Sequence, residues 1–509
     1  MTGPKRGALG AFLQLTPGAE LAMVEMCVLM FLWGLANNLN DILIKQFKKA
    51  FELGNLEAGL VQTALYIGYF VGAPPASLIA NRRDYKTSIL YGLGLYALGA
   101  LLFLPSAYLR TYPLFLGSLL IIGFGLAALE TSVSPYLIRL GPDATASQRI
   151  NFAAVFNPCG SILGILGGKN FVFSGVEWSA CSCDDVAEGG AECGLLVHLP
   201  SNSTSACPTG STEAGCFVTP GSVGSMGSGG RTPTTAERVC SAQQLDLWRE
   251  EAALATQAPY LLVAAAVMVT ACLVHFTPFP RYQDSNAAAG QTPAPSIEEQ
   301  MGLWLKKNRE LLAGSKRFRN GVLAQFAYVG AQIGVWSYLI QYMQFNVADT
   351  SEKDAADHVF YSLLMLTVGR AVSTVLLRSI APWKLMRHCA VINVGLMAIG
   401  IVGSGLSGTW AIVLSSFFMS LMFPTIFTIA IQGLDKDQTQ LGSSLIVMSI
   451  IGGAVLTPMM GALADAVSIN AAYSIPLLAF VVVGGYAHAE QEPELDNADT
   501  EVLLSMRDA

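Results

Sequence analysis

Stretches of about 20 apolar residues recur along the chain, each long enough as a helix to cross a hydrocarbon core of ~30 Å. Short turns rich in Gly, Pro, Asn and charge separate them. The pattern predicts helices near 22–47, 57–80, 86–107, 112–139, 149–174 and 258–277. A second set is expected near 318–345, 358–379, 383–404, 408–433, 440–466 and 468–488. The expected fold class is therefore all-α and transmembrane, with twelve helices in two six-helix halves. The chain divides into an N-terminus (1–21), a first bundle (22–277), a basic linker (278–317), a second bundle (318–488) and an acidic tail (489–509). No cleavable signal peptide is expected, because the weak apolar stretch after Lys5 and Arg6 is broken by Pro17 and Glu20.

Lys and Arg orient the spans. Arg281, Lys306, Lys307, Arg309, Lys316, Arg317 and Arg319 lie in or beside the linker. Arg82, Arg83 and Lys86 follow the second span, and Arg378, Lys384 and Arg387 follow the eighth. All of these fall on one side, which the positive-inside rule makes cytoplasmic, with both termini there. Lys45, Lys48 and Lys49 fall on the other side and are outvoted. The halves echo each other, with a basic turn, an aromatic–Lys pair (Tyr85-Lys86, Trp383-Lys384) and a Gly-punctuated span in each.

Composition agrees with a membrane location. The 509 residues are 52% hydrophobic and 13% charged, whereas a soluble domain carries about 25% charge. The net charge of −7 comes largely from the tail and from an insert at 176–256. The few basic residues sit beside spans, so the bilayer is the expected partner and nucleic acid is not. The insert, between spans five and six, holds six of the ten cysteines: Cys181, Cys183, Cys193, Cys207, Cys216 and Cys240. It also carries a glycosylation sequon at Asn202. Topology places it outside, where disulfides persist, so these cysteines are disulfide candidates in an undetermined pairing. Zinc is the rival reading, but no C-x-x-C pair is present. Cys27, Cys159, Cys272 and Cys389 lie in apolar spans and are expected to act as small hydrophobes. The plasma membrane is the expected location, with an endomembrane as the alternative.

Ionisable groups inside spans are costly and invite a functional reading. Asp41, in "FLWGLANNLNDILI", and Glu130, in "IIGFGLAALETSVSP", are the two candidates for proton coupling. A carboxyl in a poorly wetted site favours its neutral form, so it can load a proton on one side and release it on the other. Asn37, Asn38 and Asn40 crowd around Asp41, and positions 37, 38 and 41 share a helix face. Their amides suit hydroxyls, or equally neighbouring helices. In the seventh span Gln325, Tyr328, Gln332 and Trp336 form one stripe at helical spacing. Two amides and two rings on one face suit a sugar. Pro135, Pro158, Gly160, Pro424, Gly452, Gly453 and Pro458 interrupt spans and allow bends and close approach. The sequence has no P-loop, metal-ligand cluster or nucleophile–base arrangement, so neither an enzyme nor a metal or cofactor is expected.

Five runs resemble the L-fucose:proton symporter family of the major facilitator superfamily, which includes glucose/galactose permeases and sodium-dependent glucose carriers. They are "FLWGLANNLNDILIKQFKKAF", "LETSVSPYLIRLGP", "LAQFAYVGAQIGVWSYLIQY", "FMSLMFPTIFTIAI" and "GSSLIVMSIIGGAVLTPMMGALAD". The resemblance implies two rocking halves with substrate bound between them near the midplane. It matches Asp41 and Glu130 to the family's protonatable pair, and it places Asn38 and the seventh-span stripe at the cavity. One cavity Gln of the fucose carriers is Ala154 here, which removes a hydroxyl partner and leaves the sugar open; Asn157 partly substitutes. The implied function is a monomeric secondary carrier of a monosaccharide, coupled to protons. Sodium coupling, a non-sugar solute and a non-transporting nutrient receptor are the alternatives.

Overall fold

A computed structural model of the chain describes residues 8–50, 55–109, 111–172, 257–279, 297–347, 350, 352–403 and 405–490, and three short strands. Side chains from 36 to 62 and from 165 to 172 lie outside the described residues. The first bundle contains α1 (Glu20–Ala50), α2 (Asn55–Arg82), α3 (Tyr85–Tyr108), α4 (Tyr112–Arg139), α5 (Ala146–Val172) and α6 (Gln257–Phe276). A helix that the hydropathy pattern did not predict, α7 (Ile297–Gly314), lies within the linker. It is amphipathic, burying Trp304 and Leu311 while Leu303 and Leu305 stay exposed. The second bundle opens with α8 (Lys316–Asn346), α9 (Glu352–Leu376) and α10 (Pro382–Val402). The tenth and eleventh spans are each broken in two: α11 (Leu406–Met419) and α12 (Met422–Ile431), then α13 (Lys436–Met448) and α14 (Gly452–Ala466). The last span is α15 (Ile469–Ala472) followed by α16 (Ser474–Ala489).

Among the described residues, eight helices are long and apolar enough to cross a bilayer. α8 is not one of them despite its 31 residues. Its glutamines, tyrosines and glycines lower its hydropathy, as expected of a helix that faces protein rather than lipid. Three strands, β1 (Glu177–Ser179), β2 (Leu196–His198) and β3 (Glu237–Val239), form an antiparallel sheet in the order β1-β2-β3. The six insert cysteines, Asn202 and the tail lie outside the described residues. Cys27, Cys159, Cys272 and Cys389 are free thiols.

Small residues let the helices meet backbone to backbone. A Cβ at Gly34 of α1 would overlap the Asn157 carbonyl of α5, and one at Gly160 of α5 would overlap the Phe31 carbonyl of α1. The basic turns share one face. Lys86 donates to the carbonyls of His275 and Thr277, both at 2.8 Å. Arg378 stacks over the Phe12 ring at 5.0 Å, and Arg317 pairs with Glu490 at 2.6 Å. The described chain ends therefore lie on that same face, the side that the positive-inside rule makes cytoplasmic.

Candidate functional site

The two halves touch along the cytoplasmic parts of their helices. Gln440 Nε2 of α13 donates to the Ala80 carbonyl of α2 at 3.0 Å. Ser443 Oγ of α13 donates to the Thr131 carbonyl of α4 at 3.3 Å. Asn151 Nδ2 of α5 donates to Thr425 Oγ1 of α12 at 3.4 Å. Above these, Trp33 of α1 meets Phe423 of α12, with ring centroids 6.5 Å apart. Phe423 in turn meets Tyr328 of α8 edge-on at 6.4 Å. The Trp33 indole is oriented by donating to the Tyr69 hydroxyl at 2.5 Å. The conformation is thus closed toward the cytoplasm, with an aromatic bridge across the seam.

Glu130 lies deep in this seam. It is 3% exposed, in a run of small residues, Thr131 to Ser134, that is buried throughout. Ser134 Oγ, one turn on, donates to its Oε1 at 3.1 Å. Its opposite charge is Arg370 of α9, which acts on Glu130 electrostatically. Arg370 is 5% exposed. Its Nε donates to the Ser420 carbonyl and its Nη1 to the Ala154 carbonyl, both at 2.8 Å. It therefore ties α9 to the first half through the backbone of Ala154. The Tyr328 hydroxyl is buried beside the guanidinium and lies in the same field.

The seventh-span stripe divides. Gln325 and Tyr328 are wholly buried, and neither amide atom of Gln325 has a partner. Gln332 and Trp336 are half-buried. The Trp336 indole donates to Ser416 Oγ at 3.3 Å, and Ser416 meets Ser362 at 2.5 Å. Asn157 is half-buried and donates to the Met30 carbonyl at 3.4 Å. Asn37, Asn38 and Asp41 stand on the helical backbone of α1, but their side chains lie outside the described residues. Sequence reasoning missed Arg370, Trp33 and Phe423. Arg370 carried a signal, since it is a cation inside an apolar span, the same feature that drew attention to Glu130. Among the described residues no group of three or more His, Cys, Asp or Glu forms a metal site.

The Major Facilitator Superfamily model matches residues 26–181. The chain is 35% identical over 459 residues to the L-fucose-proton symporter of Escherichia coli, covering 90% of each chain. It is 28% identical to the glucose/galactose transporter of Brucella abortus, covering 91% of this chain and 93% of that one. A crystal structure of the transporter FucP in the outward conformation superposes with a TM-score of 0.72 at 34% identity, covering 93% of this chain and 100% of that chain.

Proposed function

Because the chain belongs to the L-fucose:proton symporter family of the major facilitator superfamily, we propose that it carries a monosaccharide together with a proton across the membrane. It is an integral membrane carrier of the multi-pass type, and its named relatives are transporters. The sugar is of the L-fucose, galactose or glucose type, and the unit of function is the monomer. The observation that carries this reading is Glu130, a carboxyl buried between the halves with Arg370 as its opposite charge. A carboxyl in such a place serves coupling, because its charge is tolerated only while its partner stays close. Asp41 is the second proton site. Asn37, Asn38, Asn157, Gln325, Tyr328, Gln332 and Trp336 are the proposed contacts to sugar hydroxyls and to the sugar's less polar face. Trp33 and Phe423 join them as the aromatic floor.

The test is uptake of labelled L-fucose, D-galactose, D-glucose and L-arabinose into proteoliposomes, with and without an inward proton gradient. Accumulation of one sugar against its gradient establishes the symporter and names its substrate. Equilibration without accumulation removes proton coupling, and a demand for Na⁺ at constant pH assigns sodium instead. No uptake of any sugar by folded protein removes the monosaccharide reading.

A further inference from the structure

The two carbonyls that hold Arg370 have something in common. In an α-helix a carbonyl accepts from the N–H four residues on. Four residues after Ala154 stands Pro158, and four after Ser420 stands Pro424. Proline has no N–H, so both carbonyls are left without a helical donor inside the membrane, where an unpaired carbonyl is costly. Arg370 supplies both donors, one to each half of the protein. The seam repeats the device once more. Pro135 frees the Thr131 carbonyl, and Ser443 of the other half donates to it. Ala80, the acceptor of Gln440, lies two residues before the end of α2, where carbonyls also lack helical donors. Three prolines and one helix end thus present carbonyls, and side chains from the second half close onto three of these sites in the first.

We propose that Arg370 is the positioning residue that closes the cytoplasmic side, seated on the carbonyls that Pro158 and Pro424 free, and released when Glu130 takes a proton. This rests on the proton-coupling reading of Glu130. Arg370 feels Glu130, Tyr328 and Cys159, from α4, α8 and α5 respectively, and Glu130 is the acid among them. While Glu130 is ionised, the guanidinium is compensated where it sits, and the seam stays shut. When a proton from the outer cavity neutralises Glu130, the guanidinium is left buried without its counter-charge. It then gains by moving toward water, and the bond to the Ala154 carbonyl is the one that must break for the halves to part. Loss of the proton inside restores the pair and draws the empty carrier shut again. The transfer is a proton alone, from water to a carboxylate oxygen and back.

The experiment is amide hydrogen exchange on the full chain in lipid nanodiscs, at alkaline and acidic pH, corrected for the intrinsic pH dependence of exchange. Peptides covering 146–157 and 436–448 report the cytoplasmic ends of α5 and α13. In the unmodified protein, protection is expected to fall about tenfold or more on acidification, the factor carried by a charge-assisted hydrogen bond. R370Q and E130Q should show the lowered protection at both pH values, and the double variant should be no lower than R370Q alone. P158A keeps the guanidinium but gives the Ala154 carbonyl a helical donor. It too should lose the alkaline protection, and it carries the test if R370Q fails to fold. Protection and pH response like those of the unmodified protein in R370Q or P158A would overturn the proposal. Proton-driven uptake alongside a gate indifferent to P158A sinks this inference and leaves the functional reading standing. A gate that follows pH and Arg370 without proton-driven uptake sinks the functional reading alone.

Discussion

Gln325 offers a test in which stability and transport move in opposite directions. Its side chain is 0% exposed, yet its Nε2 and Oε1 both lack a hydrogen-bond partner. An unsatisfied buried polar group costs about 1–3 kcal/mol, because it gives up water and gains nothing. Gln325→Met keeps the length and flexibility of the side chain and removes both polar atoms. The folded carrier should gain about 2 kcal/mol, which raises the melting midpoint by roughly 4–8 °C for a cooperative unit of 150–250 residues. Transport should suffer, because the same amide is proposed to meet a sugar hydroxyl. Losing one hydrogen bond worth about 0.5–1.5 kcal/mol raises the apparent KM two- to tenfold. The assay pairs thermal unfolding of the purified protein with concentration-dependent uptake into proteoliposomes. A lower melting midpoint would refute the reasoning, since it would mean that the amide is satisfied in the fold. A higher midpoint with an unchanged KM would keep the energetics but remove Gln325 from the binding site.

Glu130→Gln and Asp41→Asn should each abolish pH-driven accumulation while leaving sugar exchange at equal pH. In the unmodified carrier, accumulation should rise as the outer pH falls, because the protonated form is the loaded one; retained uphill uptake in either variant ends that role. Gly34→Ala drives a Cβ into the Asn157 carbonyl and should cost about 1–3 kcal/mol as overpacking. Gly117→Ala, whose Cβ would meet nothing within 4 Å, is the control in the same thermal melts. On the linker helix, Trp304 donates from its indole to Ser444 at 3.1 Å in a buried setting, while Lys307 pairs with Asp437 at 3.5 Å in the open. Trp304→Phe should therefore loosen α7 measurably by hydrogen exchange, at about 1 kcal/mol, whereas Lys307→Ala should change little. Removing 180–250 should leave transport intact, and loss of uptake by a folded deletion variant would tie the insert to the carrier's work.

The spans were legible because their signal is local. A run such as 112–139 is predominantly apolar, and the helix Tyr112–Arg139 occupies it residue for residue. The linker helix was not legible in the same way, since its apolar stretches, Met301 to Leu305 and Leu311 to Ala313, are far too short to cross a membrane and are separated by charge. Glu130 was legible as a lone carboxyl in apolar sequence, and the same rule applied evenly would have found Arg370 in "LTVGRAVSTVL". What no local rule supplies is the pairing of these two charges, because they stand on α4 of the first half and α9 of the second. The prolines show where this limit falls. From "AAVFNP" alone it follows that the Ala154 carbonyl has no helical donor, and from "SLMFP" that the Ser420 carbonyl has none. A sequence reader can therefore know that two donors are owed inside the membrane, to be supplied by a side chain, a water or a local adjustment of the helix. That one guanidinium serves both, one bond to each half, is a fact of the closed conformation. The carbonyls belong to the sequence, the bond between the halves to the state of the carrier, and only a bond of the second kind can be made and broken in a transport cycle.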